Sequence, residues 1–196
     1  MLLDSSIHLS AMKKLENREK RGRPDIVHQI FLLICDSPLY LEKRVKFYIH
    51  TVNNIVLFCS QGLRPPRNYN RFVGLMEQLL VEGSVPPPPS KPLIYTEKLS
   101  VEELVKKIAP SKVIVFSSKG RLIKNILDYI DKTLKTEDNP AFIIGGFHRG
   151  DISSNILSLS NDVVSIYPKP LSCAAVTCML LTSLYFSSRE LADLNV

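Results

Sequence analysis

Hydrophobic residues recur with two different periods along this chain, and in its second half the two periods alternate. Three short apolar runs have the pattern of buried strands, at Lys112–Phe116, Ala141–Ile144 and Val163–Ile166. Apolar positions three and four residues apart predict helices over 121–134 and 171–186. Strands that alternate with helices predict an α/β fold with a largely parallel sheet.

The first half has a different pattern. The segment DIVHQIFLLIC opens at Pro24 and stops at Asp36-Ser37-Pro38, which predicts a helix of about three turns. Two β-rich runs, FYIHT and IVLFC, flank Asn53-Asn54 and predict a hairpin. The segment LRPPRNYNR excludes regular structure until about Asn68, and helical spacing follows it. Residues 1–10 predict an edge strand or an irregular start, and VPPPPSKP predicts a surface loop inside one domain.

Composition places the chain among intracellular globular proteins. Of its 196 residues, 45% are hydrophobic and 22% are charged, and no apolar run is long enough to span a membrane. The first residues lack the order of a signal peptide, so we expect a cytoplasmic protein, or a nucleolar one in a eukaryote. The four cysteines stand in apolar contexts without metal-ligand spacing, which predicts buried free thiols and no metal site: Cys35, Cys59, Cys173, Cys178.

The net charge of +6 is modest, but its placement is informative. Cations are dense in Lys13–Arg23 and again around three arginines, Arg64, Arg67 and Arg71. Guanidinium groups match phosphate geometry, so this spacing is typical of a nucleic-acid contact. The alternatives are a solvated loop or frayed helix over residues 13–23, and a solvated helix start whose arginines pair with acids. Asp36 is either a general base or the polar end of a helix.

Two loops follow the last two predicted strands. The first, Gly145–Gly150, has neither the dinucleotide fingerprint nor a phosphate-binding loop, and alone it is typical of a plain turn. The second is the proline-rich stretch 167–172. Glycines permit close approach of a backbone to a ligand, and prolines make a loop rigid. Together, the loops suit a nucleoside-like cofactor held by main-chain groups.

Five segments taken in order resemble one family: RPDIVHQ, LLICDSPL, YIHT, LRPPRNYNRFVGLMEQLL and IGGFHRG…VSIYPKPLS. This is the nucleolar essential protein family of ribosome-biogenesis methyltransferases, and the resemblance covers about residues 20–187. It is closer to the compact archaeal-type members. The resemblance implies a SPOUT-type α/β fold with a C-terminal trefoil knot, a homodimer, and a single domain over residues 1–196. Within that domain it implies a hairpin and arginine-rich extension at about 46–95 and a knotted cofactor-binding half at about 111–190.

The resemblance also implies site residues. S-adenosylmethionine would be bound by residues of three segments of the chain: Phe116, Ser117, Gly145, Gly150, Ile166, Tyr167, Pro168, Lys169, Pro170, Leu171. Arg23, Arg64, Arg67 and Arg71 match the RNA-contacting arginines. Asp25 matches the carboxylate that orients Arg23, and Asp36 matches an acidic residue near the reaction centre, where a base role is a hypothesis.

The implied reaction is methylation of ring nitrogen N1 of a pseudouridine in small-subunit ribosomal RNA. It would need no metal and no covalent intermediate, and its target would be a loop nucleotide flipped outward. Two alternatives remain: a SPOUT methyltransferase of transfer RNA, and an RNA-binding ribosome assembly factor that acts without catalysis. The segment LRPPRNYNR argues against the transfer-RNA alternative.

Overall fold

The computed structural model describes residues 1–193, with side chains as far as Ser188. The described chain forms two compact units. The first unit comprises Met1–Leu104 together with Gly146–Gly150, and the second comprises Val105–Gly145 and the chain from Asp151 onward.

Helices and strands occur in both units, as the sequence predicts. The helices are α1 (Ser5–His8), α2 (Pro24–Cys35), α3 (Pro38–Leu41), α4 (Tyr69–Glu82), α5 (Val101–Ile108), α6 (Ile126–Thr136), α7 (Ser154–Ser158) and α8 (Cys173–Asp193). The strands are β1 (Tyr48–His50), β2 (Ile55–Cys59), β3 (Ser84–Val85), β4 (Ile94–Lys98), β5 (Lys112–Leu122), β6 (Pro140–Ile144) and β7 (Asp162–Ser165). Two short 3-10 turns, Ala11–Lys14 and Arg18–Lys20, precede α2.

The first unit contains a four-stranded antiparallel sheet in the order β1-β2-β4-β3. The predicted hairpin is confirmed, because Tyr48 pairs with Phe58 and Asn54 adopts a positive φ of 58° in the turn. Strands β3 and β4 were not predicted. Their sequences, SV and IYTEK, are too short and too polar to signal strands alone, and they form because β4 pairs with β2 along its whole length.

Helices α2 and α4 are both predicted by the sequence and confirmed. Pro24 occupies the first turn of α2, and the Asn68 side chain caps α4 by accepting a hydrogen bond from the Arg71 N–H group (3.1 Å). Phe31 of α2 meets Phe72 of α4 edge-on, with ring centroids 5.7 Å apart and both side chains buried. The two helices therefore share one hydrophobic core, which fixes the loop between β2 and α4.

The second unit contains a three-stranded parallel sheet in the order β6-β5-β7. Helices α6 and α8 pack against each other, and their core includes Ile130, Ile114 and Leu180. The predicted α/β class, a parallel sheet flanked by helices, is confirmed. The trefoil knot stays a prediction.

Strand β5 is longer than predicted, and its end corrects the expected start of the next helix. The sequence predicts a helix from Arg121, but Arg121 and Leu122 pair with β7, and α6 begins only at Ile126. Gly120 explains the difference: a Cβ atom there would lie 2.7 Å from the main-chain oxygen of Val163 and from the main chain of Val164. Such close backbone approach is available only to glycine.

The predictions for residues 1–10 and for the cysteines have different outcomes in the structure. Residues 1–10 form the short helix α1 within an irregular start, and the expected edge strand is absent from that segment. Among the cysteines Cys35 is buried, whereas Cys178 on α8 is exposed, so the expectation of four buried thiols is wrong. No helix within residues 1–193 combines the length and the apolar character needed to cross a membrane.

Candidate functional site

Arg23 and Asp25 form a two-point contact at the start of α2. The Arg23 Nε group donates to Oδ1 of Asp25 (2.8 Å), and Nη2 donates to Oδ2 (2.7 Å). This fork geometry fixes the plane of the guanidinium. The hydrogen bonds from Arg23 lower the pKa of Asp25, so the carboxylate stays ionised. The arrangement leaves Arg23 oriented by its neighbour.

Arg67 is paired with the other end of α2. Its Nη2 group donates to both oxygens of Asp36, at 3.2 and 3.0 Å. Asp36 is the C-cap residue of α2, and both side chains are more than half exposed. The contact thus joins the arginine-bearing loop to α2, and it occupies the carboxylate that the sequence singles out as a possible base.

Arg64 and Arg71 are exposed and have no acidic partner in the described part of the chain. Arg71 lies in the first turn of α4, and Arg64 lies in the loop before it. The expectation that all three arginines of this stretch pair with nearby acids is therefore met only by Arg67. Two guanidinium groups remain available to an anionic ligand.

His28 ties the arginine-bearing loop to the middle of α2. Its Nε2 atom lies 2.7 Å from the carbonyl oxygen of Pro66, and because that oxygen can only accept, Nε2 carries the proton. The ring is buried and stacks on Phe72, with centroids 4.4 Å apart. Because its acceptor, Pro66, directly precedes Arg67 in the chain, His28 is a positioning residue for the arginine-bearing loop.

Tyr69 and Asp4 form a second tie that the sequence did not reveal. The Tyr69 hydroxyl donates to Oδ2 of Asp4 at 2.5 Å. Hydrogen bonds from Ser6 and Tyr69 lower the pKa of Asp4, while burial and the contact with Asp4 raise the pKa of Tyr69. Tyr69 opens α4 between two of the arginines, so this contact holds the first turn of the helix against the N-terminal segment.

In the second unit, β6 and β7 end beside Phe116 and the irregular part of β5 that follows it. Phe116 is in register with Ile144 of β6 and with Val164 of β7. The Phe116 side chain is buried and stacks near Phe142, with centroids 6.2 Å apart, so it belongs to the core. Ser117 continues β5, whereas Gly145 follows β6 and Ile166 follows β7, and we call this part of the sheet the strand-end edge. Ligands of parallel α/β sheets bind at this edge, near the strand from which connections leave in both directions.

The segment between β7 and α8 has the donors that a nucleoside-like cofactor requires. Ser165 Oγ donates to the carbonyl oxygen of Tyr167 (2.8 Å), which fixes the turn. Within the described residues, the N–H groups of Tyr167, Lys169 and Leu171 donate to no protein acceptor, and all three residues are exposed. Pro168 and Pro170 alternate with them. Unused main-chain donors on a rigid loop fit S-adenosylmethionine, whose adenosine and carboxylate groups accept hydrogen bonds.

Gly150 belongs to the first unit and closes the glycine loop. It has a positive φ of 101°, and a Cβ atom there would lie 3.1 Å from Cε of Lys20. Lys20 Nζ lies 5.3 Å from the centroid of the Phe147 ring, a cation–π contact. The loop therefore packs on the 3-10 turn Arg18–Lys20.

A polar cluster that the sequence did not predict connects three elements of the second unit. Asp162 at the start of β7 accepts from Arg121 Nη2 (2.7 Å) and from the Tyr129 hydroxyl (2.9 Å). Burial and the bond to Asp162 raise the pKa of Tyr129. These contacts join β5, β7 and α6, so their role is to hold the strand ends in place.

No group of three or more histidine, cysteine, aspartate or glutamate side chains in the described chain is placed to bind a metal ion.

Comparison with known proteins identifies the family. The family model described as EMG1/NEP1 methyltransferase matches residues 1–185. The chain is 47% identical over 173 residues to the ribosomal RNA small subunit methyltransferase Nep1 of Staphylothermus marinus, covering 87% of this chain and 73% of that protein. It is 40% identical over 183 residues to the protein of the same name from Methanothrix thermoacetophila, covering 93% and 78%.

The solved structures agree. The crystal structure of Archaeoglobus fulgidus Nep1 bound to S-adenosylhomocysteine matches with a TM-score of 0.80 and 34% identity, over 95% of this chain and 81% of that one. The chain therefore belongs to the EMG1/NEP1 methyltransferase family.

Proposed function

We propose that this protein methylates ring nitrogen N1 of a pseudouridine in small-subunit ribosomal RNA, with S-adenosylmethionine as methyl donor. The observation that carries the proposal is a group of four arginines in the first unit, Arg23, Arg64, Arg67 and Arg71, which we call the arginine set. Carboxylates orient two of these guanidinium groups, and the other two have no acidic partner in the described part of the chain. Family membership supports the reaction class, since relatives are named ribosomal RNA small subunit methyltransferases. The structural neighbour bound to S-adenosylhomocysteine supports the cofactor.

The RNA would be held along α2 and the start of α4. Arg23 and Arg67 mark the two ends of α2, a helix of 12 residues that is about 18 Å long at 1.5 Å per residue. Arg64 and Arg71 would contact phosphates with their unpaired guanidiniums. A base stacked in a duplex cannot reach a protein pocket, so we expect a loop nucleotide turned outward.

The cofactor would be held at the strand-end edge of the second unit. The main chain of Phe116, Ser117, Gly145 and Ile166 would form its walls, with the Tyr167–Leu171 segment donating hydrogen bonds. We include Gly150, in the first unit, among the cofactor-binding residues because it matches the family's first cofactor loop and has no side chain. S-adenosylmethionine supplies an activated methyl group when bound.

The residues near the target have two tasks in this reaction. Nitrogen N1 of the pseudouridine loses its proton, and negative charge develops on the base. Arginine side chains would stabilise that charge. One hypothesis for Asp36 is that it accepts this proton as a base. Because both of its oxygens receive hydrogen bonds from Arg67, an orienting role for Asp36 is a second hypothesis that the geometry supports.

We also propose a homodimer formed through α8, acting in the cytoplasm as one SPOUT domain with the knot in its C-terminal half. Large apolar side chains are exposed on and before α8, among them Leu171, Met179 and Phe186, which is 53% exposed. Light scattering at micromolar concentration should report twice the monomer mass of 22.1 kDa. A monomer across that range would contradict the dimer.

Methyl transfer to matched RNA hairpins tests the reaction. One hairpin carries uridine and the other pseudouridine at the loop target, with labelled S-adenosylmethionine. We expect transfer to the pseudouridine hairpin alone. Transfer to both would keep the enzyme class and overturn the specificity, and transfer only to a transfer RNA would favour the SPOUT alternative.

The noncatalytic assembly factor remains the different-class alternative. Replacing Gly145 with a bulky residue should abolish methyl transfer and leave hairpin binding intact. If small-subunit assembly then proceeds normally in cells with the variant, the assembly role is separate from catalysis.

A further inference from the structure

The charged run before α2 carries most of the net charge of the protein. Residues 11–23 hold six cations and two carboxylates, so their net charge of +4 accounts for two thirds of the total of +6. The sequence alone is typical of a solvated loop or a frayed helix. In the structure, the run forms the two 3-10 turns Ala11–Lys14 and Arg18–Lys20.

These turns are held against the first unit by specific contacts. Met12 is buried, and a Cβ atom on Gly22 would lie 2.8 Å from the end of its side chain. The Gly22 carbonyl accepts from the N–H group of Ser5 (2.8 Å). Arg21 donates to the carbonyl of Glu16 (2.8 Å) and to the side chain of Asn53 in the hairpin turn (2.9 Å). The turns are therefore a built part of the fold.

The cations of these turns divide by what they contact. Arg21 is used internally, and Lys20 lies over the Phe147 ring. Lys13, Lys14 and Arg18 are exposed, and in the part of the chain that the structure describes none of them has an ion-pair partner. We call these three residues the N-terminal basic surface.

The N-terminal basic surface lies directly before Arg23 in the chain. The turn Arg18–Lys20 leads within three residues into Arg23, the N-cap of α2. The N-terminal segment also contacts α4, because Asp4 accepts from Tyr69. An RNA that binds Arg23 and extends along the N-terminal segment would therefore meet this surface.

We propose that the N-terminal basic surface binds the phosphate backbone of the stem that flanks the target loop. The proposal rests on the proposed function for the identity of the RNA. Lysine ammonium groups contact phosphate as point charges and do not read bases. The surface would therefore add affinity and register without sequence preference, while the arginine set holds the loop.

Binding measured against salt concentration tests the proposal. The variant K13A/K14A/R18A removes three charges from the surface. The control variant K106A/K124A/K132A removes three exposed lysines from α5, α6 and the turn before α6, so the two proteins have the same net charge. Each is titrated with a pseudouridine hairpin that has a long stem and with one whose stem is cut to its closing pairs.

We expect the surface variant to raise Kd for the long hairpin about tenfold or more near physiological salt, and to lower the slope of log Kd against log salt by about 2–3. Kd for the short hairpin, the melting temperature and kcat at saturating RNA should stay unchanged. The control variant should behave as the unmodified protein with both hairpins.

Three results would contradict the proposal that the N-terminal basic surface binds the RNA stem. They are an unchanged slope with the long hairpin, an equal loss in the control variant, and a loss of binding to anionic phosphatidylserine vesicles without a loss of RNA binding. Failure of the proposed function looks different: the hairpins would bind with the expected slopes, but no methyl group would be transferred to pseudouridine.

Discussion

The arginine set of the first unit and the strand-end edge of the second unit use different kinds of group. The arginine set consists of charged side chains, and each orienting contact is a side-chain hydrogen bond, as in the Arg23–Asp25 fork. The strand-end edge offers main-chain donors on a proline-bearing loop, and its side chains, such as Phe116, pack into the core. These groups fit the roles that we propose, with a polyanion bound by the first region and a small molecule of low net charge bound by the second.

This difference determines how each region responds to substitution and to solvent. Removing a side chain can disable the arginine set, whereas main-chain donors are lost only when the backbone moves. Salt screens the first region strongly and the second weakly. Four substitutions sharpen the comparison, from the largest expected effect to the smallest, and Gly74→Ala and Arg67→Ala serve as a control and a reference.

Gly120→Ala should damage the second unit most. The added methyl group would lie 2.7 Å from the backbone of β7, so we expect the free energy of unfolding to fall by about 3 kcal/mol. Affinity for S-adenosylhomocysteine should fall with it, because β5 and β7 carry the strand ends. Chemical denaturation and calorimetry measure the two effects.

Gly74→Ala is the matched control. Gly74 lies inside α4, and a Cβ atom there would meet nothing within 4 Å. We expect the free energy of unfolding to rise by about 0.5–1 kcal/mol. Equal losses of stability in the two alanine variants would show that the close approach of the backbones at Gly120 does not affect the free energy of unfolding.

Asp36→Asn separates the two hypotheses for this carboxylate. If Asp36 orients Arg67, Kd for the hairpin should rise about tenfold with kcat nearly unchanged, since one charged hydrogen-bonded pair contributes roughly 1.5–3 kcal/mol. A general base would instead lower kcat by about a hundredfold or more and leave Kd unchanged. We expect the first pattern.

Arg67→Ala provides the reference for that measurement. Combined with Asp36→Asn, it should weaken hairpin binding no further than it does alone, because each substitution breaks the same contact. Additive losses would mean that Asp36 acts independently of Arg67.

His28→Leu should loosen the arginine-bearing loop. The Pro66 carbonyl would lose the side-chain donor that His28 supplies, and we expect Kd for the hairpin to rise about fivefold to tenfold while S-adenosylhomocysteine binding stays unchanged. His28→Gln keeps an N–H donor at similar reach and should restore most of the affinity. If both variants bind RNA alike, the hydrogen bond does not position the loop.

Asp25→Asn should have the smallest effect, and one that depends on pH. The contact with Arg23 lowers the pKa of Asp25, so its stabilisation is complete above the unfolded pKa of about 4 and is lost as pH falls through the lowered value. The carboxylate is half exposed, so we expect the melting temperature at pH 7 to fall by only about 1–2 °C. The difference between variant and parent should shrink steadily as pH falls below 4, and a difference as large at pH 2 as at pH 7 would contradict the assignment.

Local signals in the sequence predicted much of the fold. The S-x-x-E spacing of Ser100 and Glu103 is the signature of a capping box, and the structure forms it, with Ser100 N–H donating to the Glu103 carboxylate (2.7 Å) and Glu103 N–H donating to the Ser100 hydroxyl (3.2 Å). The prolines and Asn68 set the start of α4. Elements that depend on a distant partner were missed: β4 exists because β2 pairs with it, and α6 starts late because Gly120 keeps β5 against β7.

The candidate site divides in the same way. Charged residues such as Arg67 and Asp36 stand out in the sequence, but their pairing across 31 positions does not. The contacts of His28 with Pro66 and of Tyr69 with Asp4 could not be predicted, because only the fold brings these residues together. The strand-end edge has no charged side-chain signature: the glycines and prolines of its two loops indicated a nucleoside-like cofactor, and the resemblance to a family named the cofactor.

The salt dependence of binding, measured for both ligands with the unmodified protein, tests the comparison most directly. Kd for S-adenosylhomocysteine and Kd for the pseudouridine hairpin are measured in the same series from about 50 to 200 mM salt. We predict that the first changes by less than about twofold and the second rises by about a hundredfold or more. Parallel changes in the two constants would contradict the division between a main-chain cofactor site and a charged RNA site.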